Sequence, residues 1–572
     1  MFDNSVSICR ISTIFLIFCF ASAIREEDLI TDLPNVTFRT SFKQYSGYLN
    51  ANTEGTWRLF YWYFNVVLGI VLTESTNKPE EDPLIIWFNG GPACSSLSGA
   101  LTEYGPYFVN RNGTSLYENI YSWNKYYNVL FLESPIGTGF SYSTEDPLEF
   151  TGGNDADKIT ADQNFHALVD LFLRVQPKYR RRNWFLAGES YAGIYITTLS
   201  NLVLRAIQSK EFPNSNFGGF AIGNGYLNAQ NLTNSLIHWS YYHGAIGVRQ
   251  WSQIKETCCN NTEPIESCDF KAHIFENTTD AIAVDECGEM FVDYLTLPDG
   301  QNPYNYYLDC YKPDQEVNLK MLPKSNLKRV LQTANLLNYD STDNQLGFNC
   351  FNEDAMKQYL NRKDVQAALH IADDWQQHKD TSYAVCNDAM YESYVPTYTD
   401  TFDLFGDIIK RVQKLKNTLP NFRMLIFNGD VDVVCNFLGD SWHMDNVANK
   451  NGMEASERVA WKFRDQTAGY VQQYVKQLDK SNQITLDVLT VKGAGHFISD
   501  RPGPALQMIV NFVRGTSNYS SSENIDTTPA TNDLIMEEEP RKLNIIVENH
   551  AEKTFQLWLL SLAILAQVFW FY

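Results

Sequence analysis

Short runs of β-branched and aromatic residues recur along the chain, and each stops abruptly at Gly, Pro or Asn. The first are Leu84-Ile85-Ile86-Trp87-Phe88 before Asn89-Gly90-Gly91-Pro92 and Val129-Leu130-Phe131-Leu132 before Glu133-Ser134-Pro135. Next come Trp184-Phe185-Leu186-Ala187 before Gly188, and Gly219-Phe220-Ala221-Ile222 before Gly223-Asn224-Gly225. The last are Met424-Leu425-Ile426-Phe427 before Asn428-Gly429-Asp430, and Leu486 to Val491 before Gly493. Unbroken apolar runs suit strands buried on both faces, as in a parallel sheet covered by helices. Helical patterns lie between them, at Asp162 to Val175 and Ile194 to Ile207. The alternation predicts an α/β fold.

Between Gly225 and Phe422 the alternation breaks down. We therefore expect a sheet domain built from residues 24–226 and 401–514, with an insertion, 227–400, lying over the sheet as a cap. The ends depart from the pattern as well. Arg10 precedes an apolar run, Ile11 to Phe20, and then Ala21-Ser22-Ala23, so residues 1–23 read as a secretory signal too short to span a bilayer. Residues 515–553 are rich in Ser, Thr, Asn and Glu and predict a disordered, solvated stalk. Residues 554–572 form a hydrophobic tail, either a membrane helix or a lipid-anchor signal.

Composition narrows the function classes. The 572 residues carry 45 Lys plus Arg against 67 Asp plus Glu, a net charge of −22. So acidic a chain lacks the basic surface that nucleic-acid binding needs. Sequons at Asn35, Asn112, Asn231, Asn260, Asn277 and Asn518 suit glycosylation in the secretory pathway. Of 11 cysteines, Cys9 and Cys19 leave with the signal. The odd remainder predicts four bridges and one free thiol, braces concentrated in the insertion. No Cys-x-x-Cys pair or His cluster suggests a metal, and no cofactor is expected.

Gly188-Glu189-Ser190-Tyr191-Ala192-Gly193 lies between a predicted strand and a predicted helix. A serine on so sharp a turn is forced outward, and the small residues around it let the turn close. Ala192 replaces the usual last glycine of Gly-x-Ser-x-Gly. A serine hydroxyl needs a base held by a carboxylate. Downstream strand ends supply Asp430 or Asp432, then His496 in Gly493-Ala494-Gly495-His496, in the order serine, acid, histidine. Spacing leaves both aspartates open, because residues two apart share one face of a continuing strand.

With these residues the chain resembles the serine carboxypeptidases, the family of carboxypeptidase Y and cathepsin A, over about Phe42 to Phe512. The similarity rests on Trp87 to Ser96, Gly137-Thr138-Gly139-Phe140-Ser141-Tyr142, Gly188 to Gly193, Ile222 to Gly225, Val365 to His370 and Asn428 to Asn436. It implies an α/β-hydrolase fold with a disulfide-braced insertion over a mostly parallel sheet. It further implies Ser190 as nucleophile, His496 as base and Asp432 as its orienter. The oxyanion is expected on the N–H groups of Gly91 and Tyr191, with Asn89, Glu103 and Glu189 gripping a substrate's terminal carboxylate. Cys435 matches the family's free thiol. The implied bridges are Cys94–Cys386, Cys310–Cys350, Cys258–Cys287 and Cys259–Cys268.

Ala93 stands where the family usually has Gly, and Phe497-Ile498-Ser499 stand in place of Met-Val-Pro. The implied activity is release of C-terminal residues from peptides with a free carboxylate, through an acyl-enzyme and favoured at acid pH. An esterase or acyltransferase using the same triad, or a protective scaffold carrying it incidentally, are the alternatives. A secreted, lysosomal or cell-surface location, membrane attachment through the tail and a homodimer are further expectations.

Overall fold

All six apolar runs are strands of one thirteen-stranded sheet. The structure, a computed structural model, describes residues 25–532 apart from 66–81, 111–112, 146–154, 260–267, 277–280, 296–300, 309–352 and 379–381. In chain order the sheet contains β1 (Leu29–Ile30), β2 (Gln44–Asn50), β3 (Trp57–Phe64), β4 (Leu84–Phe88), β5 (Asn128–Leu132), β6 (Tyr142–Ser143) and β7 (Trp184–Ser190). It continues with β8 (Phe217–Gly225), β9 (Asn421–Gly429), β10 (Glu454–Ala455), β11 (Val459–Phe463), β12 (Gln466–Gln477) and β13 (Gln483–Val491). The longer helices are α1 (Ala156–Asp170), α2 (Ala192–Ser209), α3 (Ala229–Tyr242), α4 (Val248–Cys258), α5 (Glu286–Leu295), α6 (Phe402–Lys414), α7 (Phe437–Lys450) and α8 (Pro502–Arg514).

The spatial order is β1-β2-β3-β5-β4-β7-β8-β9-β13-β12-β10, with β6 on β3 and β11 on β12. The central block β5-β4-β7-β8-β9-β13 is parallel throughout, and the flanking strands are antiparallel. Every residue of β4 and β5 is buried, the reason these runs show no polar alternation. Trp184 and Leu186 of β7 join a core with α1, α2, α6 and α7. Phe185, between them, points the other way and meets Phe512 of α8 at a ring separation of 5.7 Å. In such a sheet the parallel strands all end at one edge, where ligand sites form.

The insertion has its own small core of Ile237, Ile246, Ile254, Phe270, Ile274 and Phe291 on α3, α4 and α5 and the segment between them. Bridges Cys258–Cys287 and Cys259–Cys268 brace it. Cys94–Cys386 ties the loop after β4 to the insertion's second half, where Trp375 also packs on Phe140 and donates to Gly139 O at 3.1 Å. The expected Cys310–Cys350 pair lies outside the described residues, as do residues 1–23 and the tail 554–572. No described helix is long and apolar enough to cross a membrane.

One expectation is overturned. Residues 515–532, assigned to a solvated stalk, dock on the body. Tyr519 is buried and its hydroxyl donates to Asp487 Oδ2 at 2.6 Å. Gln507 and Asn511 donate to Tyr519 O, and Asn532 N–H donates to Glu118 Oε2 at 2.6 Å. Polar composition misled because a single aromatic anchor and partners supplied by the folded body are invisible to a composition count. The remainder of the expected stalk, 533–553, lies outside the described residues.

Candidate active site

Ser190 ends β7 and the next helix, α2, begins two residues later. Its φ is +61°, a left-handed conformation that costs a non-glycine residue about 1–2 kcal/mol. Strain of this kind is characteristic of functional turns. The loop after β4 presses against this elbow. A Cβ on Gly90 would lie 2.4 Å from Tyr191 N, so only glycine permits the approach. Tyr191 is pinned from the other side, its hydroxyl donating to Asp157 Oδ1 at 2.9 Å, and Ala93 N–H donates to Tyr195 Oη at 3.3 Å. The loop holding Gly91 and the start of α2 are thereby held together.

The chain past β9 decides between the two aspartates. The strand ends at Gly429, and Asp430 and Asp432 do not share a continuing face. Asp430 Oδ1 accepts from Gly493 N–H at 2.6 Å and closes the turn leading to His496. Asp432, wholly buried, accepts from His496 Nδ1 at 2.7 Å. It also accepts from Val434 N–H at 2.9 Å, Cys435 N–H at 3.0 Å and Asn224 Nδ2 at 2.9 Å. Four donors stabilise its charge inside the protein. With Nδ1 so engaged, the imidazole proton sits on that nitrogen and Nε2 is left to accept.

A second acidic group lies beside the elbow. Asn89 Nδ2 donates to Glu103 Oε1 and Glu189 Oε1, each at 3.0 Å. Asn89 is oriented in turn by Trp87 Nε1 and Gly99 N–H, at 2.8 and 3.1 Å. Glu103 Oε2 and Glu189 Oε2 are buried without a donor. Burial pushes Glu103 up to about 7 despite the opposing hydrogen bonds. Burial, and then the charge of Glu103, raise Glu189 well above the ordinary carboxylate range.

The sequence profile of the family described as serine carboxypeptidase matches residues 34–515. The chain belongs to that family. It is 40% identical over 552 residues to a serine carboxypeptidase of Caenorhabditis elegans, covering 89% of this chain and 93% of the relative. The lysosomal protective protein of Mus musculus is 35% identical, over 86% of this chain and 94% of its own length. Among solved structures, a prohormone-processing carboxypeptidase from Saccharomyces cerevisiae superposes with a TM-score of 0.59 at 21% identity, covering 86% and 96% of the two chains. The protein is thus a serine-type carboxypeptidase with the expected α/β-hydrolase fold.

Around the carboxypeptidase site, Cys435 is the free thiol among the described residues, buried beside Asp432, and burial raises its pKa well above the ordinary range. Of the sequons, Asn35 and Asn518 are exposed, and Asn231 sits half-buried in the first turn of α3. Asn112, Asn260 and Asn277 lie outside the described residues. One cluster of metal-ligand types, His273, Asp285 and Cys287, is found among the described residues. Cys287 is spent in its bridge to Cys258, and the other two form a 2.7 Å pair.

Asn224, Asp157 and Asp500 also hold the site together, though the sequence pattern does not mark them as site residues. For Asn224 the available signal is a polar residue ending a buried apolar strand. Asp157 and Asp500 carry no local signal: the tyrosines that meet Asp157 and the Asn305 that meets Asp500 come from distant segments.

Proposed function

We propose that this carboxypeptidase releases the C-terminal residue of a peptide through an acyl-enzyme on Ser190. The observation that carries the reading is the buried 2.7 Å bond between His496 Nδ1 and Asp432, which leaves Nε2 as a base. In the first step Ser190 Oγ attacks the last peptide carbonyl and His496 takes its proton. The oxyanion forms on the N–H groups of Gly91 and Tyr191, a contribution of roughly 3–4 kcal/mol per donor in enzymes of this kind. His496 then protonates the departing amine, and water, activated by the same ring, hydrolyses the ester.

The substrate's terminal carboxylate binds to Asn89, Glu103 and Glu189. A proton on the glutamate pair turns two repelling anions into a donor, so binding weakens as pH rises above about 7, where Glu103 ionises. Acid pH therefore favours the peptidase. Bridges such as Cys94–Cys386 suit an oxidising compartment. That chemistry, with the likeness to a lysosomal protein, supports a place in the secretory pathway or lysosome.

Labelling with a fluorophosphonate and peptide mapping tests the nucleophile; modification anywhere but Ser190 refutes it. A blocked dipeptide and its C-terminal amide, assayed across pH, test the carboxylate site. The dipeptide should lose kcat/KM above about pH 7 while the amide does not, and matching profiles would remove Glu103 and Glu189 from that role.

A further inference from the structure

The loops bearing Asp432 and His496 are both gripped by a third segment, Gln301 to Leu308, which belongs to the insertion. Pro303 O accepts from Val433 N–H at 3.2 Å, Tyr306 N–H donates to Val431 O at 3.0 Å, and Tyr304 O accepts from the backbone N–H of His496 at 2.6 Å. The Tyr304 ring stands edge-on to the imidazole at 5.1 Å. A Cβ on Gly495 would fall 2.0 Å from Tyr304 O, so glycine before the histidine is what lets the segment close.

One side chain ties this segment to the histidine loop. Asn305, buried, donates from Nδ2 to Asp500 Oδ2 at 2.8 Å, and the same oxygen accepts Gly495 N–H at 2.9 Å. Its own Oδ1 accepts from Tyr307 N–H at 3.2 Å, which sets which end of the amide faces Asp500. The N–H groups of residues 495 and 496 are thus both fixed by acceptors held by, or belonging to, this segment. A ring's aim follows from the backbone that carries it, and small misplacements of a catalytic base are costly.

We propose that Asn305 is a positioning residue for the carboxypeptidase reaction: through Asp500 it holds the peptide plane from which the His496 imidazole reaches toward Ser190. The assignment rests on the triad reading above. Asn305 touches no reacting atom. The other ionisable groups around Asp500 are Asp432, Glu103 and Tyr104.

Two variants of the full chain test it, with kcat, KM and the rate of fluorophosphonate labelling as readouts. Asn305→Ala should lower kcat and the labelling rate together by about ten- to a hundredfold, with KM within about twofold. Asn305→Asp should be pH-dependent in a way the alanine is not. Near pH 4.5 its protonated carboxyl still donates to Asp500 and activity approaches wild type. As pH rises far enough to strip the proton between them, two carboxylates face each other, and kcat relative to wild type should drop by about tenfold or more. Wild-type kcat and labelling in Asn305→Ala would overturn the proposal. So would an Asn305→Asp activity ratio that stays flat with pH, which decides the matter alone if the alanine variant does not fold. Wild-type protein unlabelled at Ser190 would instead refute the triad itself.

Discussion

Glu189, next to the last residue of β7, and Asp432, three residues past the end of β9, lie at the same edge of the sheet with β8 between their strands. They are almost equally hidden from water, at 0% exposure for Asp432 and 2% for Glu189. The protein treats them in opposite ways. Asp432 meets four donors, one of them the imidazole. Glu189 shares a single amide with Glu103 and keeps one buried oxygen without a donor. Burial alone does not set the charge of a carboxyl; the number of donors aimed at it does. One buried acid is suited to orienting and balancing an imidazolium, the other to holding a proton for a ligand.

The largest effect should come from removing the charge where donors favour it. Asp432→Asn should reduce kcat by about 10⁴-fold, as the amide favours the wrong imidazole tautomer. A loss under about tenfold on a blocked dipeptide would erase the distinction between the two acids.

Next comes the pair that holds a proton. In the wild type, kcat/KM on that dipeptide should fall about tenfold per pH unit above about 7, where Glu103 ionises. Glu103→Gln, permanently uncharged, should flatten this decline, and an unaltered slope would place the titration elsewhere. Stability follows with a definite sign. Glu103 is raised from 4.5 to about 7 in the folded protein, so between those values the native state binds more protons than the unfolded one. Stability is therefore lost as pH rises through that interval, and denaturant midpoints should decline less in Glu103→Gln than in wild type.

Asp487 extends the comparison to a buried acid remote from the site. It accepts from Tyr519 Oη and Gln473 Nε2, and burial lifts it to about 6. Tyr519→Phe deletes one of its donors and should destabilise the protein by about 1–3 kcal/mol in urea titration with kcat unchanged. A silent substitution would mean that residues 515–532 are not anchored as described. The smallest effect concerns Ala93, whose φ is +66°. Ala93→Gly should relieve about 1 kcal/mol of strain, read as a slightly higher urea midpoint, and a lower midpoint would show that the alanine is better accommodated than its backbone angle implies.

Much of the fold was legible because its signals are local. Leu84 to Phe88 is apolar at every position since both faces of β4 are covered, and the small residues around Ser190 mark a turn wherever they occur. The flanking antiparallel strands were harder to see: β3 and β12 pair with the hairpin neighbours β2 and β13, but their patterns are not unbroken aliphatic runs. Family resemblance named Asp432, whereas its spacing from Asp430 did not, because the alternatives separate only where the chain turns after Gly429.

By itself the order of residues determined the α/β alternation, the elbow, the acidic character and the candidate partners of Ser190, since each depends on neighbours within a few positions. Only the tertiary structure decided which aspartate meets a ring 64 positions away, which glutamates share the Asn89 amide, where Tyr519 docks, and which segment of the insertion bonds to the histidine loop. Those outcomes depend on how many donors and how little water surround an atom after distant segments have met, and no count along the chain contains that information.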